Sequence, residues 1–452
     1  MPAAAHPVAL VDEGLGNSSY LVDLGDGRAL VVDPERDPGP YLAAARRRGL
    51  TVAYAAETHL HADFVSGSRE LAAQGAQVLA AAAGRTGFPH RGLGDGEEAD
   101  LGGLTLRALA TPGHTPEHLA YLILDAGRPL ALFSGGSLLV GAVARTDLIG
   151  PERTGELARA LWRSLHEQIL TLPDDLPVFP THGAGSFCSA PAGAERTTTI
   201  GREKTENPLL AAPGEDAFVK MLLDGLGSYP PYFLRLREVN RRGPAVYGAG
   251  PPALARLVAG EVRRVAGDGA LIVDVRPVAA FAAGHVPGSL SIPLRDQFAT
   301  WLGWLADAGQ PLVFVLGQDQ DRGDVVRQAL NVGYEHLAGE LAGGIAAWQA
   351  AGLPVRRIPL VPAAAVTGMV VDVRQDAEFA AGHLPGARHA ELGTLAGTPP
   401  APGPLTLMCG HGERAMTAAS ILAAAGCEDL AVAVGGPADW AAASGRSLLT
   451  GR

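Results

Sequence analysis

Apolar positions along this chain follow two spacings. Short apolar runs at Ser19 to Val22, Ala29 to Val32, Thr51 to Ala56 and Leu104 to Leu109 are bounded by Gly, Pro and Asp, and they predict strands. Asp33 closes the second run and Pro34 breaks it. Helical spacing marks Tyr41 to Arg48 and the long stretch Glu152 to Leu172, where Leu157, Leu161, Leu165 and Ile169 fall on one face. That face is read as core. From Leu209 to Pro252 runs a connector containing Tyr229-Pro230-Pro231-Tyr232-Phe233. It is expected to pack on the preceding domain as a spacer, with a role in closing a pocket as the alternative.

Beyond the connector the pattern repeats itself. Ile272-Val273-Asp274-Val275-Arg276 recurs as Val370-Val371-Asp372-Val373-Arg374, and Phe281 to Gly288 recurs as Phe379 to Gly386. Gly343-Gly344-Ile345-Ala346-Ala347-Trp348 pairs with Gly435-Gly436-Pro437-Ala438-Asp439-Trp440. Apolar runs such as Leu271 to Val273 alternate with helical stretches, as expected for parallel strands buried on both faces. The reading is a duplicated α/β domain. The expected division is therefore 1–208, a connector 209–252, and two copies at 253–357 and 358–452.

Length and composition agree. At 452 residues the chain exceeds what one core supports, and 47% hydrophobic against 18% charged residues suffices for ordinary globular cores. A net charge of −11 without a Lys/Arg run argues against a nucleic-acid groove or an anionic membrane surface. Met1-Pro2-Ala3-Ala4-Ala5-His6 lacks the basic end and apolar core of a secretory signal, and no apolar stretch reaches the roughly 18 residues of a membrane span. Three cysteines, Cys188, Cys409 and Cys427, are too few for a disulfide framework and fit a reducing cytoplasm.

Candidate chemistry sits at strand ends. Thr58-His59-Leu60-His61-Ala62-Asp63-Phe64 follows one strand, Thr111-Pro112-Gly113-His114-Thr115-Pro116-Glu117-His118 another, and Pro180-Thr181-His182-Gly183 a third. His59 and Asp63 can turn toward one point, with His61 beside them, and imidazole with carboxylate suits zinc or iron. His90 and His118 are read as ordinary loop or surface residues. In the second repeat Met408-Cys409 ends a strand, and Gly410-His411-Gly412-Glu413-Arg414 leads into a helix beginning near Ala415. Inward amides and a helix N-terminus would stabilise a thiolate there, and Arg414 would hold an anionic sulfur donor. His411 is placed to tune that donor site. The first repeat has Leu316 at the equivalent position, followed by Gly317-Gln318-Asp319-Gln320-Asp321, and so has no thiol. Cys427 is read as core and Cys188 as packing, with a role near His182 left open. His285 and His383 recur in both copies and are read as structural.

The three histidine loops, with Arg145-Thr146-Asp147-Leu148, Thr181 to Ser186, Thr199-Ile200-Gly201-Arg202-Glu203-Lys204 and Asn207-Pro208, resemble the metallo-β-lactamase fold. Within it they are similar to the persulfide dioxygenase branch, near the glyoxalase II hydrolases, over about the first 210 residues. The duplicated half resembles two rhodanese domains, the first inactive. The implied architecture is an αββα sandwich followed by two rhodanese-like α/β domains. Asp372, Arg374 and Glu378 look like the residues that brace a rhodanese loop. Two positions depart from the family. Gly136, in Phe133-Ser134-Gly135-Gly136-Ser137, stands where the resemblance implies a metal-binding aspartate, and Phe64 where the two-metal hydrolases have a histidine.

The resemblance thus implies one divalent metal, iron(II) with zinc as the alternative, on His59 and His114 with His61 as third ligand. Asp63 and His182 would support it or form a second site. With Gly136 in place of the acid, the site is expected to be mononuclear and weak or empty. The implied activity oxidises a thiol persulfide to sulfite and thiol, coupled to sulfur transfer through a Cys409 persulfide. Glutathione persulfide, thiosulfate or another low-molecular-weight thiol would be the small-molecule partner, with no nucleic acid and no membrane. Two other readings stay open: a sulfurtransferase beside a metal-poor scaffold, and a thioester hydrolase. Whether the chain forms a homo-oligomer is also open.

Overall fold

The computed structural model describes residues 7–188, 195–248, 250–397 and 403–451, so the stretch Met1 to His6 discussed above lies outside the described residues. The chain divides into two compact units, Met1–Pro252 with Arg327–Gly333, and Ala253–Val326 with Tyr334–Arg452.

In the first unit, six strands from Val8–Asp12 to Arg91–Leu93 lie side by side in chain order. The early hairpins are antiparallel, and Arg28–Val32, Thr51–Ala56, Gln77–Ala81 and Arg91–Leu93 run parallel. A second six-stranded sheet runs Thr198–Thr199, Pro177–Pro180, Arg128–Gly135, Leu119–Asp125, Thr105–Ala110, Glu98–Asp100. Alternation in these strands sends Tyr20, Val22, Leu30 and Val32 of one sheet into a common core with Leu106, Tyr121, Ile123 and Phe133 of the other. Helix Gly39–Arg47 covers the outer face of the first sheet with Tyr41, Ala44 and Ala45. Helix Pro151–Glu167 covers the second with Leu157, Ala158, Leu161 and Leu165, the face read from spacing. This is the αββα sandwich.

The connector packs on this unit and goes further than a spacer. Phe218 and Leu222 of helix Glu215–Asp224 enter the outer core of the second sheet. Helix Phe233–Arg242 lies over the first histidine loop. The Asn240 carboxamide donates to the carbonyls of His61 and Phe64, both at 2.8 Å, and accepts from Ser66 N at 2.8 Å. Tyr232 donates its hydroxyl to the Asp63 carbonyl at 3.2 Å. A loop bearing a metal-ligand motif has few backbone partners of its own, and this helix supplies them.

The second unit contains the repeat twice over. Its two five-stranded parallel sheets have the same order, Arg256–Leu257, Leu337–Leu341, Leu312–Val315, Leu271–Asp274, Leu290–Ser291, and Leu360–Pro362, Leu430–Val434, Leu405–Met408, Met369–Asp372, Arg388–His389. The copies share buried surface: Phe281 and Ala282 of the first join Val371, Leu392, Leu407 and Met416 of the second in one cluster. His285 stacks on Phe281 with centroids 3.9 Å apart and His383 on Phe379 at 3.8 Å, so both histidines serve the same turn in each copy. Among the described residues no helix is long and apolar enough to cross a membrane.

Because Asn240 is buried and satisfies three backbone groups, Asn240→Ala should cost about 2–4 kcal/mol in urea denaturation of the first unit. A loss below about 0.5 kcal/mol would show that those groups find other partners.

Candidate functional site

The histidine loops converge where the two sheets meet. Ring centroids of His59 and His114 lie 4.8 Å apart, those of His59 and His182 5.4 Å, and those of His114 and His182 5.2 Å. One ligand atom from each of the three lies within 4.8 Å of the other two. All three are buried, and in all three Nε2 has no hydrogen-bond partner.

The other ring nitrogen is engaged in every case. His59 Nδ1 lies 2.8 Å from Thr58 Oγ1, whose hydroxyl donates to Asp33 Oδ2 at 2.8 Å, so the imidazole Nδ1–H donates to the threonine oxygen. His114 Nδ1 donates to the Arg145 carbonyl at 2.7 Å. His182 Nδ1 is 2.9 Å from Asn17 Oδ1 and 3.2 Å from Asp63 Oδ2. Each ring is therefore oriented as an Nδ1–H tautomer, with its Nε2 lone pair facing the others. Burial, reinforced by the neighbouring imidazoles, holds His59 well below the usual histidine range and brings His114 down to about 3. Imidazoles whose far nitrogen is tied to a protein partner and whose Nε2 is bare are suited to hold a metal.

His61 differs from the expectation. It groups with Asp33 and His59, but its Nε2 faces carboxylates, 2.9 Å from Glu57 Oε2 and 3.3 Å from Asp33 Oδ1. Burial opposes its charge, yet Asp33 and Glu57 prevail and lift it to about 10. Its Nδ1 is buried without a partner, while the group that brings three imidazoles together is His59, His114 and His182. Glu57 is itself fixed by the hydroxyls of Ser66 and Ser68. Asp33 accepts from Thr58 N at 2.7 Å and from the Thr181 hydroxyl, tying two histidine loops together. Its backbone sits at φ +50° in the left-handed region, a strained conformation held by those bonds. Asp33 and Glu57 were not singled out from the sequence; the strand-ending Asp33-Pro34 was the available signal.

His118 is a correction. It lies in a loop as read but not at the surface: it is 1% exposed and stacks on His59, with centroids 5.1 Å apart. Its Nε2 accepts from Gly136 N at 2.9 Å and its Nδ1 bonds Thr111 Oγ1 at 2.8 Å, so both nitrogens are used and it is no ligand. Gly136 is thereby fixed directly against His114: a Cβ there would lie 2.5 Å from His114 Cδ2 and 2.8 Å from Cγ. The acid expected in this family has no room at this position. Phe64 is fully buried and stacks on His61 at 4.2 Å. Cys188 is buried with Asp63 and His182 close by, and burial, with Asp63 adding to it, pushes its thiol up. His90, half-buried, bonds Thr86 in a loop as expected. A small cavity of about 20 Å³ opens beside His59 and His61, walled by Leu60, Thr86, Phe88 and Glu117. Arg237 of the connector holds Glu117 at 2.7 Å.

In the second unit Cys409 follows strand Leu405–Met408 and is 2% exposed, a buried member of the apolar cluster shared by the two copies. Its Sγ accepts from Gly412 N at 3.1 Å. The loop was expected to surround the sulfur with amides, and this bond is the one found among the described residues. Gly412, at φ +95°, makes the turn that aims this amide, and helix Glu413–Ala424 begins directly after it. Arg414 is committed to Glu378 through two bonds of 2.6 and 2.8 Å, and Arg374 to Asp372 at 2.7 Å. Gly410, His411 and Gly412 complete the turn, His411 exposed. In the first copy the matching loop is filled from within: the Gln320 side chain accepts from Gly317 N at 2.8 Å and donates to the Val275 carbonyl at 2.7 Å. Leu316 is buried. Cys427, expected as core, is half-buried against the second copy's cluster, at its margin.

If the three Nε2 atoms form the metal set, His182→Ala should lower the metal content of purified protein at least as far as His59→Ala or His114→Ala, by elemental analysis. His61→Asn should leave most of the metal in place. Gly136→Asp should lower occupancy, because its Cβ displaces the His114 ring. Tighter binding in that variant would contradict the geometry.

Comparison with known proteins supports the fold. The metallo-β-lactamase superfamily profile matches residues 12–182, and the rhodanese-like domain profile matches 258–351 and 362–443. The human mitochondrial persulfide dioxygenase ETHE1 is 32% identical over 209 residues, covering 45% of this chain and 75% of that protein. A hydroxyacylglutathione hydrolase of Methylococcus capsulatus is 38% identical over 171 residues, 37% of this chain and 62% of that protein. A crystal structure of a metallo-β-lactamase from Staphylococcus aureus subsp. aureus COL superposes with a TM-score of 0.66 at 29% identity, covering 75% of this chain and 99% of that one. Its reach past the sandwich extends the likeness into the duplicated half. The chain belongs to the persulfide dioxygenase family, an enzyme of sulfur metabolism in which a metallo-β-lactamase domain is joined to two rhodanese-like domains.

Proposed function

We propose that the first unit oxidises a thiol persulfide with dioxygen at one divalent metal held by His59, His114 and His182, and that Cys409 transfers sulfane sulfur. The observation that carries the first part is the three buried Nε2 atoms without partners. Leaving three polar atoms buried and unpaired is costly, and a cation supplies what they lack. The donor set suits iron(II) or zinc, and the proposed oxidation requires iron. Bound there, iron would supply the redox chemistry that joins the persulfide to dioxygen. The overall reaction, RSSH + O2 + H2O → RSH + SO3²⁻ + 2H⁺, balances in atoms and charge.

The protein's own part is positioning. Thr58, the Arg145 carbonyl and Asn17 fix the three imidazoles, and a set of imidazoles alone leaves the metal's positive charge uncompensated by any carboxylate ligand. That excess favours an anionic persulfide as the incoming ligand. The His61 imidazolium, locked between Glu57 and Asp33, braces the loop. Phe88 and Leu60 give the pocket an apolar wall that limits water.

At Cys409 the thiolate attacks the outer sulfur of thiosulfate or of a persulfide; the S–S bond breaks, sulfite or thiol leaves, and Cys409 carries the sulfur. The Gly412 amide and the start of helix Glu413–Ala424 favour the negative sulfur. The first copy, its loop filled by Gln320, is non-catalytic in this reading. Holding both centres in one chain raises the local concentration of the shared intermediate. A thioester hydrolase is disfavoured, since Phe64 and Gly136 remove two members of the two-metal set.

Purified chain should consume oxygen on addition of glutathione persulfide and release sulfite, with iron near one per chain. Iron-free protein without uptake would contradict the dioxygenase reading. Cys409→Ser should abolish transfer from thiosulfate, by at least about a thousandfold, while the folded state and oxygen uptake persist. Unchanged transfer would refute the role of Cys409.

A further inference from the structure

The Cys409 loop is ringed by matched charges. Two pairs lie within the second copy, Arg414 on Glu378 and Arg374 on Asp372. The loop's own carboxylate is Glu413, the first residue of helix Glu413–Ala424 and the neighbour of Arg414. Its partner comes from the other copy: Arg295 Nη2 lies 2.7 Å from Glu413 Oε2. The junction that places Arg295 there is well made. Buried Ser420 Oγ, on the same helix, accepts from Ser291 N at 3.1 Å, and Trp301 and Leu305 of helix Phe298–Leu305 pack on the cluster that includes Cys409.

Since Arg414 and Arg374 are committed to their own acids, neither offers a free guanidinium to an incoming anion. An unpaired Glu413 would leave the loop mouth negative, which opposes a doubly charged donor most strongly. We propose that the thiol-less first copy supplies Arg295 as a specificity-determining residue of the Cys409 site, neutralising Glu413 so that dianionic donors of the thiosulfate class can approach. This rests on the reading of Cys409 as the sulfur carrier. The Arg295 and Glu413 side chains are 41% and 31% exposed, so the effect is one of approach and is screened by salt, with little bearing on stability.

Two readouts on the full chain test it. In the first, alkylation of Cys409 by anionic iodoacetate and by neutral iodoacetamide is followed by mass spectrometry of its peptide. Arg295→Ala should slow iodoacetate about fivefold relative to iodoacetamide at low salt, and adding Glu413→Gln to it should return the ratio to the wild-type value. In the second, Arg295→Ala should raise KM for thiosulfate by a similar factor with kcat within about twofold, and the reversed pair Arg295→Glu with Glu413→Arg should restore it. An unchanged reagent ratio in Arg295→Ala, or a double variant Arg295→Ala with Glu413→Gln that stays as slow as Arg295→Ala alone, would overturn the proposal. If the ratio shifts as expected but no variant, wild type included, transfers sulfur, the charge assignment stands as local electrostatics and the donor-specificity proposal falls with the sulfur-carrier reading.

Discussion

Everything at the first centre depends on one arrangement: three imidazoles tied at Nδ1 and left bare at Nε2. The ties differ in kind, a threonine hydroxyl, a main-chain carbonyl and an asparagine, and each comes from a different segment. Asp33 binds the set together by receiving Thr58 and the Thr181 hydroxyl, so the loops of His59 and His182 share one buried anchor. Its left-handed backbone is the local cost of that link. The resulting donor set contains no carboxylate, as expected from Gly136, with His182 in the place expected for His61.

The missing acid and the buried His118 are two sides of one fact. His118 holds the Gly136 amide, and Gly136 lies where any side chain would strike His114. The carboxylate is therefore excluded by packing, and its loss does not leave a gap. In the proposed site His182, after strand Pro177–Pro180 of the same sheet, supplies the third nitrogen. This turns an apparent defect into a coherent three-histidine site.

Much of this could be read from the chain itself. The repeat around Asp274 and Asp372, the apolar face of Glu152 to Leu172 and the three histidine loops all appeared as spacing, because strand and helix periods are written locally. The choice between His61 and His182 was not legible. It depends on which nitrogen of each ring is engaged: His61 turns Nε2 to Glu57 and Asp33, whereas His182 turns Nδ1 to Asn17 and Asp63, and local spacing says nothing about either. His118 was misread for the same reason: a residue near a loop end looks solvated until Thr111 and Gly136 close around it. In the second unit the thiol loop was legible as a motif, while the commitment of Arg414 to Glu378 and the contribution of Arg295 needed the folded junction.

The central claim is the three-histidine set, and X-ray absorption of the metal-loaded chain tests it most directly by counting imidazoles through their multiple scattering. The account predicts three imidazole nitrogens at about 2.0–2.2 Å, with any remaining positions filled by light, solvent-like oxygen. A spectrum requiring only two imidazoles, or a first-shell sulfur, would contradict it.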